Sequence, residues 1–179
     1  MAALVGLDLA DTVSIALEAS GDGICTAAND NAPGQVVVSG DTAAVGRAIE
    51  LAKKRGAKRA IKLPVSAPFH CALMAPAADV MNEALASVSM SELLVPVVCN
   101  VNASVITDVF EIRKLLVEQV TEMVRWRECV LTMKGLGVDT LFEIGAGRVL
   151  SGLARRIDKD LKAVQVGTPE TIEDFLNSL

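Results

Sequence analysis

The chain has 179 residues, room for one domain or a domain with a smaller subdomain, and 51% of them are hydrophobic. With four Phe, one Trp and no Tyr, that apolar content is aliphatic and small, as in α/β packing. A net charge of −5 argues against nucleic acid as a partner, and no apolar run approaches the ~18 residues of a membrane span.

No charged-then-apolar leader opens the chain, so the expected location is cytoplasmic. Cys25, Cys71, Cys99 and Cys129 are widely scattered, with neither C-x-x-C pairing nor a second histidine to complete a metal set. They read as reduced, structural thiols.

Residues 1–64 read as β-α-β-β-α-β. Residues 2–7 form a short apolar strand, and Asp11 is placed to cap a helix through Ala19. Gly21-Asp22-Gly23 turns the chain into a strand over 24–28, and residues 29–34 read as a turn-rich loop. Gln35-Val36-Val37-Val38-Ser39-Gly40 is the most strand-like run. Asp41 caps a helix through Lys54, with Ala44, Val45, Ala48, Ile49 and Ala52 as one apolar stripe. Gly56 ends it, and 58–63 returns as a strand. Two β-α-β units joined by a hairpin make a ferredoxin-like small subdomain, one sheet with both helices on one face.

The remainder, 65–179, changes character. A helix over 72–86 leads to residues 95–100, short and apolar like a buried parallel strand. Helices follow at 110–118 and 126–134, then a strand at 140–144, a helix at 149–159, a strand at 163–166 and a last helix from Pro169. Strands alternating with helices point to a parallel sheet covered on both faces. Three strands are few for such a sheet, which suggests that partner strands lie outside this chain. The composition shift near Pro64 is the one candidate boundary, giving domains over 1–64 and 65–179.

His70 is the only histidine, in Leu63-Pro64-Val65-Ser66-Ala67-Pro68-Phe69-His70-Cys71. An imidazole can give and take a proton near neutral pH, so His70 is the candidate acid and base. Pro64 and Pro68 brace the loop in extended form, and helical spacing begins at Cys71. The ring thus stands where a stiff loop meets a helix. A histidine commonly activates a serine or cysteine, yet the G-x-S-x-G elbow is absent. If His70 is catalytic, its nucleophile lies elsewhere. Gly145-Ala146-Gly147 lacks the third glycine of G-x-G-x-x-G and the Gly-Lys ending of a P-loop, and reads as a tight strand-to-helix turn.

Three stretches in order, residues 29–40, residues 63–77 with Pro68-Phe69-His70-Cys71-Ala72-Leu73-Met74, and Gly145-Ala146-Gly147-Arg148-Val149-Leu150, resemble the malonyl-CoA:acyl carrier protein transacylases of type II fatty acid synthesis. The resemblance runs over essentially the whole chain but covers only the C-terminal part of that family. The family's serine elbow and malonyl-binding arginine have no counterpart here. In the family a ferredoxin-like subdomain interrupts a larger α/β-hydrolase-like one, so the chain is expected to pair the first with the C-terminal part of the second.

The resemblance implies transfer of a malonyl group from malonyl-CoA to the phosphopantetheine thiol of acyl carrier protein through a malonyl-serine. His70 is then the catalytic base, oriented by the main-chain carbonyl of Gln119, while Asn29, Asn31 and Phe69 match substrate-binding positions. The partners implied are acyl carrier protein, malonyl-CoA and the enzyme's missing N-terminal part, with no permanently bound cofactor. The isolated chain is expected to be inactive. Two alternatives stand beside this reading: an acyltransferase domain of polyketide-synthase type, and a non-catalytic ferredoxin-like binding module.

Overall fold

A computed structural model describes residues 1–177. They form two compact units, residues 1–129 and residues 130 onward.

The first unit opens with β1 (Ala2–Val5), α1 (Leu9–Ser20), β2 (Cys25–Ala32), β3 (Gln35–Gly40), α2 (Thr42–Lys54) and β4 (Arg59–Lys62). The strands make one antiparallel sheet in the order β2-β3-β1-β4, the ferredoxin-like arrangement expected from the sequence. Ile15, Ala16 and Ala19 of α1 and Ala44, Val45, Ala48 and Ala52 of α2 bury against Ala2, Leu4 and Val38. Both helices therefore cover the same sheet face. The small residues let them approach each other and the sheet closely, and burial of their apolar surface is the main stabilising term.

Several local expectations are corrected. Asp8, not Asp11, caps α1, its Oδ1 accepting from Asp11 N–H at 2.8 Å. Asp41 stands before α2, but its carboxylate makes no cap bond there. It accepts from Ile24 N–H at 2.7 Å and so closes the start of the β2–β3 hairpin. The loop expected over 29–34 is strand as far as Ala32, and the turn shrinks to Pro33-Gly34. Asn and Asp are poor strand formers, but two register shifts against β3 admit them, between Ala27 and Asn29 and between Asp30 and Ala32.

Beyond β4 the chain runs through an irregular, bent stretch to a single 3₁₀ turn, Ala72–Met74, and then α3 (Ala75–Ser87), dividing what reads in sequence as one helix. Residues 95–100 are not a buried parallel strand. Only Val97–Val98 (β5) pair, antiparallel, with Val105–Ile106 (β6). The turn between them passes through Ala103, whose φ is 52°, and folds the chain straight back. α4 (Val109–Glu118) is capped by Asp108, which accepts from Glu111 N–H at 2.7 Å, and buries Ile112 and Leu115 with Ile106. Arg113 of α4 donates to the Leu85 and Val88 carbonyls at the end of α3. The division between units falls within α5 (Trp126–Gly135).

The second unit holds β7 (Thr140–Ile144), α6 (Val149–Ile157), β8 (Lys162–Val166) and α7 (Pro169–Asn177). β7 and β8 are parallel and in register from Thr140 opposite Lys162 to Ile144 opposite Val166. Phe175 of α7 meets Phe142 of β7 edge to face, ring centroids 4.7 Å apart. Parallel pairing is thus present as expected, in a two-stranded piece. Among the described residues no helix is long and apolar enough to cross a membrane.

Candidate active site

The stretch expected to be extended instead turns tightly across Pro64, Val65 N–H donating to Leu63 O at 2.9 Å, and bends at Ser66-Ala67; Cys71, almost fully buried, anchors its end by donating its S–H to the Pro68 carbonyl at 3.1 Å. Between them His70 takes a left-handed backbone, φ 59°. For a residue with a Cβ that conformation costs about 1 kcal/mol or more and is retained where neighbouring contacts enforce it.

The ring is partly exposed, and its Nδ1 lies 2.8 Å from the carbonyl oxygen of Gln119. A carbonyl only accepts, so Nδ1 carries the proton and donates, and Nε2 keeps the lone pair. Gln119 has that oxygen to offer because it follows the last turn of α4. In a longer helix the oxygen would accept from the residue four positions on, but the helix stops at Glu118 and the chain turns away.

The chain leaving Gln119 reaches β2 at residue 124. Val124 N–H donates to Ala28 O at 2.9 Å, and Asp30 N–H donates to Val124 O at 2.9 Å, an isolated parallel bridge centred on Asn29. Asn29, at the centre of this bridge, and Asn31, two residues on, are both half-buried on β2. Phe69, directly before His70, is 39% exposed. His70 and Gln119 are in direct contact. Asn29 reaches the same region through the Val124 bridge, and Phe69 through its place in the chain.

Arg127 was not marked by the sequence. Its Nε and Nη2 lie 2.9 and 2.7 Å from Asp30 Oδ2, and the hydrogen bond holds the guanidinium above its ordinary value. Asp30 in the middle of Asn29-Asp30-Asn31 was the visible signal, a charge inside a strand that has to bury alternate residues. Nearby, Arg125, directly before α5, pairs with Glu128 in its first turn, and its hydrogen bond keeps the Glu128 carboxyl below the usual range.

The glycine-rich turn after β7 offers no open anion cradle. Gly145 (φ 134°) and Gly147 (φ 92°) supply the backbone the turn needs. The main-chain N–H groups of Leu150 and Ser151, at the start of α6, already donate to the Glu143 carboxylate at 3.0 and 2.8 Å. A chain carboxylate sits where a phosphate would. Among the described residues no three His, Cys, Asp or Glu side chains gather as a metal site.

A ferredoxin-like sheet in the first unit, parallel β/α elements in the second, and a histidine whose Nδ1 is tied to a helix-end carbonyl define an α/β protein with one imidazole presented at a loop. The comparisons narrow the class. The chain is 42% identical over 180 residues, all of its length, to the malonyl CoA-acyl carrier protein transacylase of Bacillus subtilis. It matches the crystal structure of acyl-carrier-protein-S-malonyltransferase from Bartonella henselae at 52% identity and TM-score 0.94, over 99% of this chain and 56% of that one. A type II PKS acyl-carrier protein in complex with its malonyl-transacylase matches at 39% identity and TM-score 0.96, over 99% of this chain and 58% of that one. No family model matches. The chain is therefore similar from end to end to one part of the malonyl CoA-acyl carrier protein transacylases, and it spans about 57% of the length of the curated relatives it matches.

Proposed function

We propose that this chain is the histidine-bearing part of an acyltransferase that moves a malonyl group from malonyl-CoA to the phosphopantetheine thiol of acyl carrier protein. The observation that carries the reading is the 2.8 Å contact between His70 Nδ1 and the Gln119 carbonyl, which leaves Nε2 as the base. It is supported by the end-to-end similarity to the transacylases.

In the first half, His70 Nε2 takes the hydroxyl proton of a serine as its oxygen attacks the thioester carbonyl. The tetrahedral oxyanion collapses to malonyl-serine, and the imidazolium returns the proton to the departing CoA sulfur. The second half runs this in reverse with the carrier thiol as nucleophile. The Gln119 carbonyl orients the ring and stabilises the imidazolium, the task a carboxylate performs in other triads. Asn29, Asn31 and Phe69 line the acyl-CoA side. The serine and the cation for the malonyl carboxylate are supplied by the part of the relatives that this chain does not span. The proposed chemistry needs no bound cofactor.

Radiolabelled malonyl-CoA tests the division of labour. The chain alone should stay unlabelled, and the chain joined with the missing part of a relative should carry label on a serine of that part. Stoichiometric label on the chain alone would overturn the reading. The structure containing a type II PKS carrier protein favours one neighbouring reading, a transacylase serving a polyketide carrier. Preference between fatty-acid and polyketide carriers in the same assay separates the two.

A further inference from the structure

The loop leaving Gln119 contains no proline, so its course depends on what it is bonded to. Two of the contacts that hold it come from one residue of β2. The Asp30 main-chain N–H holds the Val124 carbonyl at 2.9 Å, and the Asp30 carboxylate holds Arg127, three residues later, at 2.7 and 2.9 Å. Asp30 is 1% exposed and the Arg127 side chain 33%. A carboxylate at that depth has given up its water and is tolerated because a guanidinium and hydrogen bonds replace it. Arg125, directly before α5, by contrast makes its ion pair with Glu128 of that helix.

The backbone between Gln119 and Arg127 starts on the end of α4, where the Val120, Thr121 and Glu122 N–H groups donate to the Val117 and Glu118 carbonyls, and ends on Asp30 of β2, with Val124 N–H on Ala28 O and Arg125 N–H on Asn100 O between them. The Asp30–Arg127 pair is the side-chain tie at the far end of this span, and the carbonyl that meets His70 lies at its start. We propose that Asp30, through Arg127 and Val124, is a positioning residue that holds the Gln119 carbonyl on His70 Nδ1 and so fixes which imidazole tautomer the protein presents. The inference rests on the reading of His70 as the base.

His70 is the only histidine, so imidazole nitrogen NMR of the chain reports one ring. The unaltered chain should show the Nδ1–H tautomer almost exclusively. In Asp30→Asn the share of the other tautomer should rise about tenfold, as losing one charge-assisted hydrogen bond allows. Arg127→Lys, which keeps a cation opposite Asp30, should stay near the original ratio. A merely structural ion pair would lower the unfolding temperature of Asp30→Asn and leave the tautomer ratio of the folded chain unchanged, and that result overturns the proposal. Should Asp30→Asn not fold, Arg127→Gln, whose amide still donates to Asp30, is read by the same two outcomes. Activity of His70→Ala tests the base assignment separately, so failure of one is distinguishable from failure of the other.

Discussion

Burial pushes two thiols, Cys25 and Cys129, up to about 11 from an ordinary value of 9.0. Each is nearly inaccessible to water, which disfavours the thiolate. The sign follows from proton counting. Between pH 9 and 11 the unfolded chain has released these protons while the folded chain still holds them, so stability is full below pH 9 and falls as pH rises through that window. Across the whole window the loss is roughly 3 kcal/mol per thiol. With no tyrosine in the chain, lysines are the main competing titration there. Denaturant unfolding at pH 8 and pH 10.5 should show the drop, and Cys25→Ala and Cys129→Ala should each flatten it. Equal pH dependence in these variants would contradict the assignment.

Among the helices and strands, α6 shows how a carboxylate can take over a helix start. Its first residue follows Arg148, which makes no side-chain cap, and Glu143 on β7 reaches across the glycine turn to the Leu150 and Ser151 amides. The Ser151 hydroxyl and these amides keep the Glu143 carboxyl below the usual range. The anchorage is complete at neutral pH and is lost as pH falls through that lowered value. In Glu143→Ala, hydrogen exchange at Leu150 and Ser151 should quicken while that of β3 stays unchanged. No change at those two amides would contradict the cap.

Elements of this kind differ in how plainly they can be read from sequence. β3, β7 and the apolar stripe of α2 were legible because hydrophobic period and bounding residues agree there. Strand β2 was misread beyond Ala28, since Asn29-Asp30-Asn31 has turn chemistry and enters a strand only through bulges and the Val124 bridge. The 95–100 strand was misread because a short apolar run does not reveal whether its neighbour is a parallel strand or its own hairpin partner. At the site, His70 was legible from its uniqueness and its two prolines, and Gln119 only through the resemblance. The Asp30–Arg127 pair joins residues 97 apart, a contact that local pattern does not encode.

On the scale of the molecule, the described surface carries several exposed large apolar side chains. Phe110 on α4 and Val80 on α3 are uncovered, and Ile144, at the end of a parallel strand, is 77% exposed. Parallel pairs are ordinarily covered on both faces, so Ile144 suits burial against further chain, as do the exposed apolar side chains of α3 and α4. That agrees with a chain spanning about 57% of its relatives' length. It also agrees with the proposed division in which His70 serves as base and the nucleophile comes from outside.

The most direct measurement is the rate of malonyl transfer to acyl carrier protein by the chain completed with the missing part of a relative, with and without His70→Ala. A positioned general base contributes about 10²–10⁴-fold, and a loss of at least that size is expected in kcat, with labelled serine accumulating more slowly. Transfer by the His70→Ala protein at the unaltered rate would contradict the assignment of this imidazole as the proton carrier.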